Sequence, residues 1–426
     1  MDFRKLIEEF ENCPCGQKHE CGIKDIHIGS GITANTGEIL KKNHFPKKIL
    51  LVADQITYEA ANGIEESLRE FEIEFLIYES LRVATRSEVN KIEELFVNGI
   101  EGVLAVGTGS IHDICRLACA ERDKPLCLFA TAPSMDGFAS YSAPIVDENF
   151  KITYPAKCPE IIVADTRILA SAPKELKSAG FGDMAAKYVA LIDWQVSSLI
   201  SGESYCEHVA ALTRYAVDMV MGMADEITLQ DETAAAKLFE GLLLTGIAMS
   251  FTKTSRPGSG CEHIMAHYIE CKELLENKTP NYHGEDVGVM TLIMLKIYNK
   301  LLELSSVKCH PERNDWRKIE EVYGPMAEEM KKMNYPETIT SKISHSRISD
   351  NFPKIQEIIR AVPSYETVRD FMNRAGCKLT YKDIEKKESL IREAFEYHVY
   401  MRRRLSLRRF MNMMDLGDLF DNFSFI

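Results

Sequence analysis

Gly102-Val-Leu-Ala-Val-Gly107-Thr-Gly109-Ser-Ile-His-Asp113 carries a short apolar run through a glycine-rich turn into a stretch of helical spacing. The apolar run reads as a buried strand, and residues 111–120 repeat apolar positions with a helix period. A strand passing through a tight turn into a helix is the repeating unit of a parallel α/β sheet. The alternation continues outward. Residues 48–53 (Lys-Ile-Leu-Leu-Val-Ala), 74–78 and 126–130 are further β-rich runs, and 60–71 and 89–96 have helical spacing between them. A last run, 161–164, follows a stretch rich in Ser, Pro and Gly that reads as a loop. Beyond about residue 170 the strand signal disappears. Residues 184–200, 206–223, 233–250, 262–275 and 288–302 read as helices, with more expected over 316–333, 355–361 and 382–409. The expected organisation is an α/β domain over 1–168, with a cysteine-containing extension at 1–22, followed by an all-α domain over 169–426.

Apolar residues make up 45% and charged residues 27% of the 426 positions, which excludes disordered and low-complexity classes. The formal net charge of −13, from 51 basic and 64 acidic residues, argues against a partner held through its phosphate backbone, so no nucleic acid is expected. No apolar run reaches the roughly 18 residues of a membrane span. Residues 241–251 read as a buried core helix, and no membrane insertion is expected. The first ten residues place acids on an amphipathic pattern, unlike a secretory signal. Most of the twelve cysteines sit in apolar stretches (Cys115, Cys119, Cys127, Cys206), as in a reducing cytoplasm.

Four features could carry chemistry. Gly107 and Gly109 let the backbone approach a phosphate, and the helix start supplies N–H donors. The third glycine of the dinucleotide fingerprint is missing, so a ligand-free tight turn explains the pair equally well. Thr131-Ala-Pro-Ser134-Met-Asp136-Gly137 puts hydroxyls and a carboxylate past a strand end, where a cofactor or polyol binds; a capped turn is the plainer reading. His263 and His267 are one helical turn apart, His283 follows, and Asp183 sits after Gly180-Phe-Gly182, which reads as a helix start. One carboxylate and two imidazoles suit a divalent metal with open positions, although spacing alone does not bring them together. Cys13, Cys15, His19 and Cys21 offer four soft ligands in nine residues, for zinc or as reduced thiols on a mobile terminus. Arg402, Arg403, Arg404, Arg408 and Arg409 read as a solvated helix face or salt-bridge partners.

With Gly180-Phe-Gly-Asp-Met-Ala-Ala-Lys187, Ser255-Arg-Pro-Gly-Ser-Gly-Cys-Glu-His263 and His283-Gly-Glu285, these motifs give a chain that resembles the glycerol-1-phosphate dehydrogenase family, within the iron-containing alcohol dehydrogenase and dehydroquinate-synthase-like superfamily. The resemblance spans roughly residues 20–410. It implies a dehydroquinate-synthase-like two-domain fold, a nucleotide-binding α/β domain and a helical domain, with the active site in the cleft. It implies that Asp183, His263 and His283 hold one divalent metal (zinc, nickel or iron), and that Gly107, Gly109 and Ser110, with Asp113, cradle the pyrophosphate of NAD(H) or NADP(H). Thr131 and Ser134 would line the cofactor site, and Asp136 would face the nicotinamide ribose or the substrate hydroxyl. The implied reaction interconverts dihydroxyacetone phosphate and sn-glycerol 1-phosphate. Relatives are often dimers or larger, so a homo-oligomer is expected.

Further expectations attach to single residues. Lys187 stands where some relatives carry a fourth metal ligand, and its ammonium would either meet a phosphorylated triose or pair with a carboxylate. Arg256 is a second phosphate candidate on the family motif. His267 is expected to relay a proton without ligating. Asp54, ending the first run, would accept the adenosine ribose 2′-OH and favour NAD(H). His112 departs from the small polar residue usual in the family and would alter the pyrophosphate contacts. The competing readings are a polyol dehydrogenase of the same fold, a dehydroquinate-synthase-like cyclase (disfavoured because that branch uses Glu at the Asp183 position), and a regulatory protein on a retired enzyme fold.

Overall fold

The computed structural model describes residues 1–148, 150–420 and 423–426. Strands β1 (Asp25–Gly29), β2 (Lys48–Asp54), β3 (Glu72–Tyr78), β4 (Gly102–Gly107) and β5 (Leu126–Ala130) precede a hairpin of β6 (Ser142–Asp147) and β7 (Phe150–Pro155), and β8 (Ile161–Asp165) follows it. Six of these form one sheet in the order β1-β8-β5-β4-β2-β3, every pairing parallel. The apolar runs of β2, β4, β5 and β8 are buried on both faces, as inner parallel strands require, and the edge strand β3 is half exposed. Leu50, Val52, Val103 and Ala105 pack into one cluster, and their neighbours Ile49, Leu51, Leu104 and Val106 into another.

From β2 the chain steps outward to β3, returns to β4, and continues the other way through β5 to β8. The order therefore reverses between β2 and β4, whose carboxyl ends are Asp54 and Gly107. Ligands of open α/β sheets bind in the crevice at that reversal.

Two elements differ from the sequence expectation. The sequence gives no sign of β1, a half-buried edge strand whose partner β8 is the last strand of the sheet in chain order. The Ser/Pro/Gly-rich stretch contains the antiparallel β6–β7 hairpin, with Ser142 opposite Pro155 and Asp147 opposite Phe150.

The helices that position the site are α1 (Phe3–Glu11), α2 (Gly109–Glu121), α3 (Lys174–Ala185), α4 (Lys187–Ser201), α5 (Glu207–Met221), α6 (Glu232–Thr252), α7 (Cys261–Leu275) and α8 (His283–Lys300). By length and composition α6 could cross a membrane, but most of it is buried within the helical half. The expected helix over 184–200 is split at Ala186, and Asp183 lies in the last turn of α3 instead of near a helix start. Gly180 and Gly182 are there for close packing: a Cβ on Gly180 would lie 1.9 Å from the Pro133 carbonyl oxygen, and one on Gly182 2.5 Å from that of Gly284. Residues 382–409 are not one helix; Glu388–Tyr397 and Leu407–Met411 flank a segment that carries Arg402, Arg403 and Arg404, while Arg408 and Arg409 lie in the second helix. The 1–22 extension, assigned on sequence to the α/β half, packs on the helical half. Phe10 stacks on Phe251 of α6 with ring centroids 4.7 Å apart.

Candidate active site

A cleft of about 750 Å³ runs from the carboxyl ends of β2 and β4 to the amino-terminal ends of α7 and α8. At the sheet end, Gly109 borders the cleft, and a Cβ there would have no neighbour closer than Met135 Cγ at 3.9 Å. Gly107 serves a different purpose, since its Cβ would press on Ile111 at 3.1 Å; it lets α2 pack onto β4. Thr108 makes no side-chain cap on α2, so the first N–H groups of that helix are open to a phosphate. Ser110, Asp113, Thr131 and Ser134 all line the cleft. Ser134 Oγ is 2.6 Å from Thr108 Oγ, tying the two strand-end loops together. Asp113 is held at 3.0 Å by Arg116, and burial lifts its carboxyl to about 6 against the pull of that guanidinium.

Asp54 caps the helix after β2 through Oδ1, which accepts from the Thr57 N–H at 2.9 Å. It lines the cleft at the strand-order reversal. His112 does not enter the cleft. Its ring is fully buried and meets the Phe138 ring edge-on at 5.5 Å, and burial drops it to about 3, so it is neutral. The expected effect on the pyrophosphate contacts is therefore absent.

At the helical end, single donor atoms of Asp183, His263 and His283 lie within 4.8 Å of one another. His263 Nε2 is 3.3 Å from Asp183 Oδ1. Donors about 2.1 Å from a tetrahedral ion are separated by about 3.4 Å, so this edge suits a shared ion. Both imidazoles have their other nitrogen committed: His263 Nδ1 is 2.6 Å from Glu262 Oε1, and His283 Nδ1 is 2.9 Å from Glu270 Oε1. A carboxylate behind the ring fixes the tautomer and aims the opposite nitrogen at a metal. The donors are nitrogen and oxygen only, as zinc, nickel or ferrous iron accept. A second triangle, His267, Glu270 and His283, shares His283. Its Glu270 is already paired with Lys151 at 2.6 Å, which favours an orienting role.

Helix packing assembles the triangle. α3 and α8 cross where both are glycine: a Cβ on Gly284 would sit 1.9 Å from the Ala179 carbonyl oxygen. That contact brings Asp183 and His283, far apart in sequence, beside the first turn of α7. His267 stacks on His283 with centroids 5.2 Å apart and borders the cleft. Burial, with the Lys151 ammonium nearby, holds its ring well below the usual imidazole range.

Two phosphate candidates are corrected. Lys187 is fully buried; it donates to Asp183 Oδ1 at 2.7 Å and to the Gly258 carbonyl at 3.1 Å, and its ammonium forms an ion pair with Asp136 Oδ2 at 2.7 Å. It pairs with carboxylates and does not border the cleft. Burial alone would raise the Asp183 carboxyl, but Lys187 and His263 hold it well below the carboxylate range. Asp136 borders the cleft, and burial together with the Asp183 charge raises its carboxyl. Arg256 is also spent: it is buried, bonds Glu203 Oε1 at 2.7 Å and the Leu405 carbonyl at 2.6 Å, and does not border the cleft.

The cations that border the cleft are Arg82, Arg116, Lys151, Arg402, Arg403 and Arg404; Arg116 is held by Asp113, and Arg82 lies over the Tyr282 ring. Arg404 donates to the Ser259 carbonyl at 2.8 Å and to Ser255 Oγ, and Arg402 donates to the Lys151 carbonyl. Neither Arg402 nor Arg404 forms an ion pair with a carboxylate among the described residues. Burial, and the Arg256 charge nearby, push Arg404 down to about 10. For these two the expectation of a solvated helix face or a salt-bridge partner fails, because a run of arginines carries no sign that its chain is irregular and turned inward. Glu270 was legible: it lies on the helix face of His263 and His267, seven and three residues on.

A family model described as iron-containing alcohol dehydrogenase matches residues 27–173. A glycerol-1-phosphate dehydrogenase [NAD(P)+] of Pyrococcus furiosus is 33% identical over 301 residues, which cover 70% of this chain and 81% of that one. The chain belongs to the glycerol-1-phosphate dehydrogenase family. A Bacillus licheniformis relative of the same name is 29% identical over 412 residues, covering 95% of this chain and 92% of its own. Among solved structures, a probable glycerol dehydrogenase from Sinorhizobium meliloti shares the fold with a TM-score of 0.62 at 16% identity, over 90% of each chain.

Proposed function

We propose that the protein is a metal-dependent, NAD(P)-linked dehydrogenase that interconverts dihydroxyacetone phosphate and sn-glycerol 1-phosphate. The observation that carries this reading is the pairing, across one cleft, of the Asp183, His263 and His283 triangle with guanidiniums that no carboxylate neutralises. When bound, the metal supplies Lewis-acid polarisation of a carbonyl oxygen and the reduced nicotinamide supplies a hydride. Asp183, His263 and His283 would hold the ion, with Glu262 and Glu270 orienting the imidazoles. The α2 amino terminus and Gly109 would receive the pyrophosphate. Arg404 and Arg402 would hold the substrate phosphate, and the neutral His267 ring would relay a proton to the new hydroxyl, taking one up at one nitrogen as it gives one from the other. Asp136, fixed by Lys187, would face the nicotinamide ribose or that hydroxyl.

Two assays test this. NADH oxidation should proceed with dihydroxyacetone phosphate, fall by orders of magnitude with unphosphorylated dihydroxyacetone, and stop with chelator. Equal rates on the two ketones would favour the polyol dehydrogenase reading. Arg404→Met should raise the KM for the triose phosphate about 10–100-fold, as expected for losing a charge-assisted hydrogen bond worth about 1.5–3 kcal/mol. The NADH KM should stay unchanged; an equal rise in both would remove Arg404 from the phosphate site.

Asp54 supports a preference for NAD(H). Its Oδ1 is committed to the Thr57 N–H, and no basic side chain pairs with the carboxylate among the described residues. A 2′-phosphate would meet an unneutralised charge there. Asp54→Ser should therefore improve kcat/KM for NADPH relative to NADH by about tenfold, the equivalent of about 1.4 kcal/mol. Efficient use of NADPH by the unaltered protein would defeat the assignment. All twelve cysteines are free thiols, which supports a reducing, cytoplasmic setting.

A further inference from the structure

Outside the cleft, a second set of metal-ligating side chains converges. The sequence grouped Cys13, Cys15 and His19 with Cys21. In the fold, Cys21 turns elsewhere, its Sγ 3.9 Å from that of Cys158. Its place is taken by Cys206, the residue that precedes α5. One donor atom from each of Cys13, Cys15, His19 and Cys206 lies within 4.8 Å of the others. Cys13 Sγ is 3.7 Å from Cys206 Sγ, and Cys15 Sγ is 3.2 Å from His19 Nε2. A tetrahedral zinc with sulfur at about 2.3 Å sets sulfur–sulfur edges of about 3.8 Å and sulfur–nitrogen edges of about 3.6 Å. The sulfur–sulfur edge is also well beyond the roughly 2.05 Å of a disulfide.

The surroundings are arranged for the same purpose. His19 is fully buried, and its Nδ1 lies 3.0 Å from the Phe251 carbonyl oxygen. That bond fixes the tautomer that bares Nε2 to the thiols. The Gln17 N–H points at Cys15 Sγ at 3.4 Å, and Gly16 turns the chain with φ +78° between them. Cys13 and Cys206 are 8% and 1% exposed, so two thiols and an imidazole are enclosed with one another as their main polar company.

We propose that Cys13, Cys15, His19 and Cys206 bind one structural Zn²⁺, separate from the metal of the active site. Four protein ligands close the coordination sphere, which leaves no position for a substrate. Binding releases the thiol protons. The ion staples residues 13–19 to the loop before α5 and to the end of α6. Both neighbour the cleft wall: Glu203 of that loop holds Arg256, and α6 runs directly into the segment with Ser255 and Ser259.

Cobalt exchange into the unaltered full-length protein tests the site without a variant. The active-site triangle contains no sulfur, so only the second site gives a thiolate-to-cobalt charge-transfer band and the strong visible spectrum of a tetrahedral ion. Metal analysis then counts the ions. His263→Ala should retain one zinc per chain, and Cys13→Ser with Cys15→Ser should lose that zinc. A cobalt spectrum without thiolate bands, or a Cys13–Cys206 disulfide found by intact mass and thiol titration, would overturn the proposal. Either result leaves the reading of the active site untouched.

Discussion

Lys187→Met destabilises the protein by about 3–5 kcal/mol, the cost of leaving buried charge without its partner. Asp183 is fully buried, Asp136 is partly buried at the cleft wall, and the Lys187 ammonium is 2.7 Å from each. Without it, two carboxylates face each other with little solvent to screen them. The loss should be largest in chelated protein, because a bound divalent ion supplies part of the missing positive charge. The apparent Tm should fall by several degrees in a chain of this size. Thermal unfolding with and without chelator reads both effects. A rise in the triose phosphate KM at unchanged stability would instead restore Lys187 as a substrate ligand.

Gly284→Ala separates the helices that carry two of the three metal ligands. Its Cβ would stand 1.9 Å from the Ala179 carbonyl oxygen, so α3 and α8 must part by more than an ångström. Overpacking of this kind costs about 1–3 kcal/mol. The functional loss should be greater. Asp183 is one turn from Ala179 and His283 adjoins Gly284, so the triangle opens, and a displacement of about 1 Å costs on the order of 100-fold in rate. Metal affinity should fall in parallel. Isothermal titration of the chelated variant and its turnover with saturating metal measure the two losses. Wild-type affinity and turnover would mean that the glycine contact does not set the geometry.

The parallel sheet was legible because strands buried on both faces read as apolar runs, and helices between them have a different period. The edge strand Asp25–Gly29 was not, since half-buried residues of mixed polarity give no such run. The hairpin was hidden by the serines and prolines that also mark loops. For the site, His263, His283 and Asp183 were marked by family motifs, but how they meet depends on helix crossings that no spacing encodes. Gly180 and Gly182 looked like a helix-start signal and are packing contacts. Arg256 lies in a family motif yet is bound by Glu203, whereas Arg402 and Arg404 sit in a basic run and turn inward. Side-chain chemistry in the sequence names what can bind. Which charges are already neutralised becomes visible only in three dimensions.

Asp183, His263 and His283 are proposed to share a single divalent ion. That sharing is tested most directly by measuring active-site metal per chain alongside turnover of dihydroxyacetone phosphate in Asp183→Asn, His263→Ala, His283→Ala and His267→Ala. The first three should lose that ion and nearly all turnover, and His267→Ala should keep the ion while turnover falls. Full metal content in the first three, or loss of the ion from His267→Ala, would contradict the account.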